Sequence, residues 1–166
     1  LVSDDRPDSA LGAVMQDVIP VPMAKFGCAH LGSLVLANSA SEPSTIRISQ
    51  PGFPGTFLRD SWVVPDDGGE ATGVASWEGS LYGFTRQTVS RIDENMRATP
   101  VVVGAGCVAP CSIQTMDAGL IWLGPDGVYL LDRSGTVTKV SQVIDEVFDH
   151  EVNLTAASLA LSAVTG

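Results

Sequence analysis

Short runs rich in β-branched and aromatic residues, separated by Gly, Pro, Asp and Ser, recur along the chain, and this is the pattern of strands joined by turns. One unit of four strands reads Ala71–Trp77, Ser80–Thr85, Thr88–Ile92 and Pro100–Gly104. The next reads Ala109–Met116, Leu120–Leu123, Gly127–Leu131 and Thr136–Val140, with hairpin turns at Gly124-Pro125-Asp126-Gly127 and Asp132-Arg133-Ser134-Gly135. An earlier, looser unit holds Ser33–Ala37, Thr45–Ser49 and Trp62–Val64. Three segments align on a turn glycine followed by a strand, at Gly32, Gly79 and Gly119. Those glycines are 47 and then 40 residues apart, the period of a four-stranded propeller blade.

The predicted fold is therefore all-β: repeated four-stranded antiparallel units, part of a β-propeller, with one short helix. That helix is expected over Gln142–His150, where Ser141 caps the amino end and Val143, Ile144, Val147 and Phe148 share one face. Residues 1–22, with the charge cluster Asp4, Asp5, Arg6 and Asp8 and the prolines Pro20 and Pro22, read as an arm or linker with one helical turn near Leu11–Val18. Residues 23–166 read as about three blades, and Leu154–Val164 as the opening of another. A propeller needs about four to eight blades to close. The chain is accordingly read as a piece of a larger propeller, or as one completed by other chains; its start at Leu1 and its end at Gly166 agree with a fragment.

Composition sharpens this picture. Seventeen glycines and ten prolines favour turns over long helices, and no window approaches the roughly 18–20 apolar residues of a membrane-spanning helix. Nineteen acids against nine Lys and Arg give a net charge of −10, which excludes a surface that grips phosphates throughout. Three cysteines, Cys28, Cys107 and Cys111, are too few and too odd in number for a disulfide framework, so a reducing compartment is expected.

The segment from Gly106-Cys107-Val108-Ala109-Pro110 through Ser112-Ile113 and Gly119-Leu120-Ile121-Trp122-Leu123 to Asp126-Gly127-Val128-Tyr129-Leu130-Leu131-Asp132 resembles the propeller region of tailed-bacteriophage virion proteins. These are tail tube or nozzle proteins of short-tailed phages, some called packaged-DNA-stabilisation proteins. The unit from Thr72-Gly73-Val74 through Leu81-Tyr82-Gly83-Phe84-Thr85 to Ser90-Arg91-Ile92 is similar to a strand pair of the same family, and the likeness covers roughly residues 44 to 150. Cys111 departs from the family pattern, which has a basic or polar residue there.

The resemblance implies a structural virion protein located in the tail and assembled in the bacterial host cytoplasm. It implies a homo-oligomeric ring that retains and conducts double-stranded genomic DNA without sequence-specific binding. A portal or adaptor would meet one face and distal tail proteins the other. No enzyme activity and no cofactor come with it. A duplex slides more easily past acids than past bases, because each Lys–phosphate contact adds affinity and so a barrier. Asp66, Asp67 and Glu70, in the loop 65–70, are the candidate acidic channel rim; the plainer account is a solvated connecting loop. Phe53 and Phe57, in a Pro- and Gly-rich stretch over Gln50–Asp60, are the candidate interaction loop.

Other chemistry finds little support. Cys28, His30, Cys107 and Cys111 make four zinc ligands on paper, but not at finger or ribbon spacing, and packed free thiols are the expectation. There is no nucleophile elbow and no phosphate loop. Asp117, Asp126, Asp132 and Glu78 all sit beside turn glycines, as ordinary hairpin acids do. The competing functional reading is a propeller that binds or hydrolyses carbohydrate at the host surface; Trp77 and Asp117 would then face a pocket. Packing between blades accounts for Tyr82, Trp122 and Tyr129 without it.

Overall fold

The computed structural model describes residues 17–141, so the expected helix over Gln142–His150 and the expected strand from Leu154 lie outside the described residues. Among the described residues, thirteen strands form three antiparallel sheets. The first contains β1 (Val18–Ile19), β2 (Ala24–His30), β3 (Ser33–Ser39), β4 (Ile46–Gln50) and β5 (Phe53–Val63), in the order β1-β5-β4-β3-β2. The second runs β6 (Gly73–Trp77), β7 (Ser80–Phe84), β8 (Thr88–Ile92) and β9 (Ala98–Val103), each beside the next. The third repeats this with β10 (Gln114–Met116), β11 (Gly119–Gly124), β12 (Gly127–Leu131) and β13 (Val137–Lys139). The repeated all-β units expected from the sequence are present.

Turn chemistry starts the first two sheets in the same way. Leu31-Gly32 joins β2 to β3 and Glu78-Gly79 joins β6 to β7, with all four residues at positive φ, the two-residue turn whose twist matches that of paired strands. In the third sheet Asp117-Ala118 holds the same place between β10 and β11 without a positive φ at either residue, and Gly119 is already a strand residue, paired with Met116. Counting from the turns corrects the glycine alignment by one residue. Trp77 corresponds to Met116, Ser80 to Gly119, Thr88 to Gly127 and Ile92 to Leu131, an ungapped repeat of 39 residues. The last hairpin obeys it too. Asp93 accepts from the backbone N–H of Asn95 and Arg97, each at 2.9 Å, and Asp132 from those of Ser134 and Thr136, at 2.8 and 2.9 Å. Each loop bends through a left-handed residue at its fourth position, Met96 or Gly135.

Three expected elements are corrected. The stretch Gln50–Asp60 is not a loop: the chain turns at Pro51-Gly52, and Phe53–Val63 is a single 11-residue strand. Its register against β4 runs Arg47↔Trp62, Ser49↔Phe57, Gln50↔Phe53, so the extra residues, Pro54 and Gly55 among them, are absorbed as irregularities where ladder bonds are not needed. The expected strand Ala109–Met116 begins instead with a 3₁₀ turn, Pro110–Ser112. Pro110 has no N–H to give a ladder, and the buried Ser112 hydroxyl donates to the Ala109 carbonyl (2.6 Å) while accepting from the Leu123 N–H (2.9 Å). At the other end, Val18 is not helical: Val18 and Ile19 pair with Leu58 and Phe57, so part of the expected arm is an outer strand.

The sheets stack face to face. The face of the first sheet that carries Val35, Ala37, Ile46 and Ile48 packs on Val74, Leu81 and Ile92 of the second. The opposite face of the second, with Ala75, Trp77, Tyr82 and Phe84, packs on Leu120, Trp122 and Leu131 of the third. Trp122 is fully buried, meets Phe84 edge to face at 5.7 Å, stacks on Tyr129 at 5.9 Å, and donates its indole N–H to the Ala105 carbonyl at 2.8 Å.

Candidate functional site: the cleft where the first strands meet

One edge strand of each sheet, β2, β6 or β10, borders a single open cleft of about 460 Å³. Side-chain size decides how closely they approach. Gly73 lies against Ile113 so tightly that a Cβ there would sit 2.3 Å from its Cδ1, and Gly27 leaves room for Leu36 and the Val35 carbonyl. The walls mix apolar groups, Phe26, Val74, Ala75 and Ile113, with the polar Ser76, Gln114 and Thr115.

Two contacts hold β2 beside this cleft, one to β6 and one to the segment that precedes it. His30 Nδ1 and Ser76 Oγ are 2.8 Å apart, joining the last residue of β2 to β6. Burial lowers the pKa of His30, so the imidazole is neutral at pH 7. At the other end of β2, Lys25 donates to Glu70 at 3.1 Å. Glu70 also accepts from Asn38 Nδ2 at 2.8 Å, and that hydrogen bond first, then the one from Lys25, lowers its pKa. Between them Cys28 has its thiol pushed up to about 11 by burial, so at neutral pH it is a packed thiol rather than a thiolate nucleophile.

The sequence-predicted site residues are not brought together. Phe53 is exposed, whereas Phe57 is fully buried, opposite Ser49 and Ile19, so they cannot form one exposed tip. Asp66 is exposed. Asp67 turns back to accept from Thr85 Oγ1 at 2.5 Å and from the Gly69 N–H at 3.0 Å, and Glu70 is engaged by Lys25 and Asn38. Two of the three acids of the expected rim thus fasten the 65–70 segment onto the sheets. Cys28 lies against the core between the first and second sheets, Cys107 is buried in the core between the second and third, and Cys111 is exposed. Among the described residues no group of three His, Cys, Asp or Glu is placed to hold a metal ion. Trp77 is buried and donates its indole N–H to the Met116 carbonyl at 3.1 Å, while Asp117 is exposed in its turn.

Sequence reasoning missed β2, and with it Lys25, Gly27 and the place of His30 against Ser76. The available signal was alternation: Phe26, Cys28 and His30 are half-buried while Lys25, Gly27 and Ala29 between them are exposed. No family model matches the chain, and no curated protein matches it.

Proposed function

We propose that this chain is a structural component of a tailed-phage tail tube or nozzle: successive propeller blades in a ring of identical subunits that retains and conducts genomic DNA, with no catalytic step. The observation that supports this best is the convergence of β2, β6 and β10, edge strands of three consecutive sheets, on a single cleft, an arrangement that fits neighbouring blades of a propeller. The resemblance over residues 44 to 150 supplies the family. A cleft of about 460 Å³ is far too small for a duplex whose major groove alone is about 12 Å wide, so DNA passes between subunits and not through the stack of sheets. The net charge of −10 supports passage without gripping.

Electron microscopy of the native assembly tests the reading. The expected result is a ring of several copies around an open bore. A lone closed propeller with a filled centre and a lateral pocket would overturn it and bring the carbohydrate-directed reading forward.

A further inference from the structure

A second cavity, of about 200 Å³, adjoins the cleft where β2 meets the segments that lead into β6 and β10. Lys25, Phe26 and Pro110 line both. Its inner wall holds Asn38 and Thr72, 3% and 8% exposed, and each carries a side-chain oxygen with no hydrogen-bond partner among the described residues. Such an oxygen costs stability unless something donates to it. In Asn38 the orientation is fixed, because Nδ2 donates to Glu70 Oε1 at 2.8 Å and to the Ala71 carbonyl at 2.7 Å, which leaves Oδ1 as the atom in need of a donor. The outer wall is charged. Hydrogen bonds from Asn38 and then Lys25 lower the Glu70 pKa most, and Arg86, exposed in the turn between β7 and β8, lowers it further by its charge. Two cations, Lys25 and Arg86, against the one Glu70 carboxylate leave the cavity with one positive charge.

We propose that this cavity binds a small hydroxylated carboxylate, of which a sugar acid is the simplest example: its hydroxyls donate to Asn38 Oδ1 and Thr72 Oγ1, and its carboxylate faces Lys25 and Arg86. Each part of the ligand answers a part of the wall. One carboxylate neutralises the one positive charge. A metal ion would meet two cations instead, and a phosphodiester brings no donor for Asn38. Lys25 and Glu70, 61% and 56% exposed, form a surface pair of small worth, so Lys25 turns to the ligand at little cost. Phe26, Val108 and Pro110 give the carbon skeleton an apolar side to lie on. The volume equals roughly six or seven waters at ~30 Å³ each, room for one small molecule rather than a chain of sugars. The site needs no second copy of the chain and does not depend on the tail reading.

The test is titration of the purified, isotope-labelled chain with D-glucuronate, D-glucose and acetate, followed by backbone amide shifts in nuclear magnetic resonance spectra. D-glucuronate should give saturable shifts at Asn38, Ala71, Thr72 and Arg86. D-glucose lacks the charge and acetate lacks the hydroxyls, so each should bind at least about tenfold more weakly. Arg86→Gln should weaken D-glucuronate by about tenfold and Thr72→Val by about two- to tenfold, with far-ultraviolet circular dichroism unchanged in both. No saturable shift with D-glucuronate would mean that water alone meets the two oxygens, and overturns the proposal. So does D-glucose or acetate binding as tightly as D-glucuronate, or either folded variant binding as the parent does. Arg86 is exposed, so its variant decides the matter even if Thr72→Val fails to fold.

Discussion

The second and third sheets differ from the first in how their chains are spent. The later two align at a constant offset of 39 residues from Trp77/Met116 to Ile92/Leu131, share the Asp-anchored turn at Asp93 and Asp132, and meet across an aromatic core containing Trp77, Tyr82, Phe84 and Trp122. The first has a fifth strand, β1, irregular pairing along β5, and a loop held by Arg47 donating through Nε and Nη2 to the two Glu42 oxygens, both at 2.8 Å. Its core toward the second sheet is aliphatic. Apolar size and turn chemistry suffice where a unit only has to stack; charge and irregular backbone enter where a sheet ends the described stack.

The largest expected effects separate the two regions. Trp122→Ala removes a fully buried ring together with the hydrogen bond to Ala105 and should destabilise by ~3–5 kcal/mol in urea unfolding. Phe57→Ala should lose as much, since Phe57 is also fully buried, but in a different place: it belongs to none of the three clusters of described residues. Hydrogen exchange distinguishes them. Trp122→Ala is expected to expose amides of β7 and β11 first, Phe57→Ala those of β4 and β5. Equal loss throughout in both variants would mean that the three sheets unfold as one unit and would dissolve the comparison.

Next comes the backbone joint between the second and third sheets. A Cβ on Gly106 would meet the Thr85 carbonyl oxygen at 2.4 Å and the Arg86 and Gln87 backbone at 2.5 Å, none of which can rotate away. Gly106→Ala should therefore destabilise by ~1–3 kcal/mol. Gly55→Ala in the irregular strand meets nothing within 4 Å and should stay within ~0.5 kcal/mol of the parent. Matched melting curves would remove the distinction between a tight joint and a loose edge.

This contrast also explains what was legible in the sequence. Thr88–Ile92 and Gly127–Leu131 occur with the expected boundaries, because each is a β-branched or aromatic run between residues that favour turns. In the first sheet the cues conflict. Pro54 and Gly55 read as a loop, yet the strand passes through them because its irregular pairing leaves no ladder bond for Pro54 to make. β2 mixes Gly27 and Ala29 with Lys25, too little apolar weight for a strand to be noticed. The 39-residue period was hidden because the two units share geometry more than identity, and a glycine was aligned where the shared feature is a turn. Of the acids singled out, composition showed that they lie in a loop but not that Asp67 and Glu70 bend back to Thr85, Asn38 and Lys25, since those partners come from other strands.

A smaller, pH-dependent effect belongs to the first sheet. The hydrogen bond from Arg47 is the main cause of the lowered pKa of Glu42, with desolvation opposing it. A carboxylate whose folded pKa is depressed stabilises the fold above its unfolded value of about 4.3, and that contribution fades as pH falls through the folded value. Arg47→Lys breaks the two-pronged fit and, with Glu42 partly open to solvent screening, should lower stability by ~0.5–1 kcal/mol at pH 7. The difference should vanish in acid. Unfolding of both proteins across that range measures it, and a constant gap at every pH would show that Arg47 acts through packing alone.

The smallest effect is expected where the sequence placed a working pair. Phe53 is 65% exposed at the start of β5, opposite Gln50, so Phe53→Ser should leave unfolding within ~0.5 kcal/mol of the parent. Phe57→Ser, four residues along the same strand, inserts a hydroxyl where a ring was fully enclosed and should unfold the first sheet at much lower urea. The pair therefore has to be taken apart in any assembly experiment: loss of assembly in Phe57→Ser reports folding, whereas loss in Phe53→Ser, with its circular dichroism and urea midpoint unchanged, reports a contact. If Phe53→Ser assembles as the parent does, the exposed ring at Phe53 is not part of a partner surface.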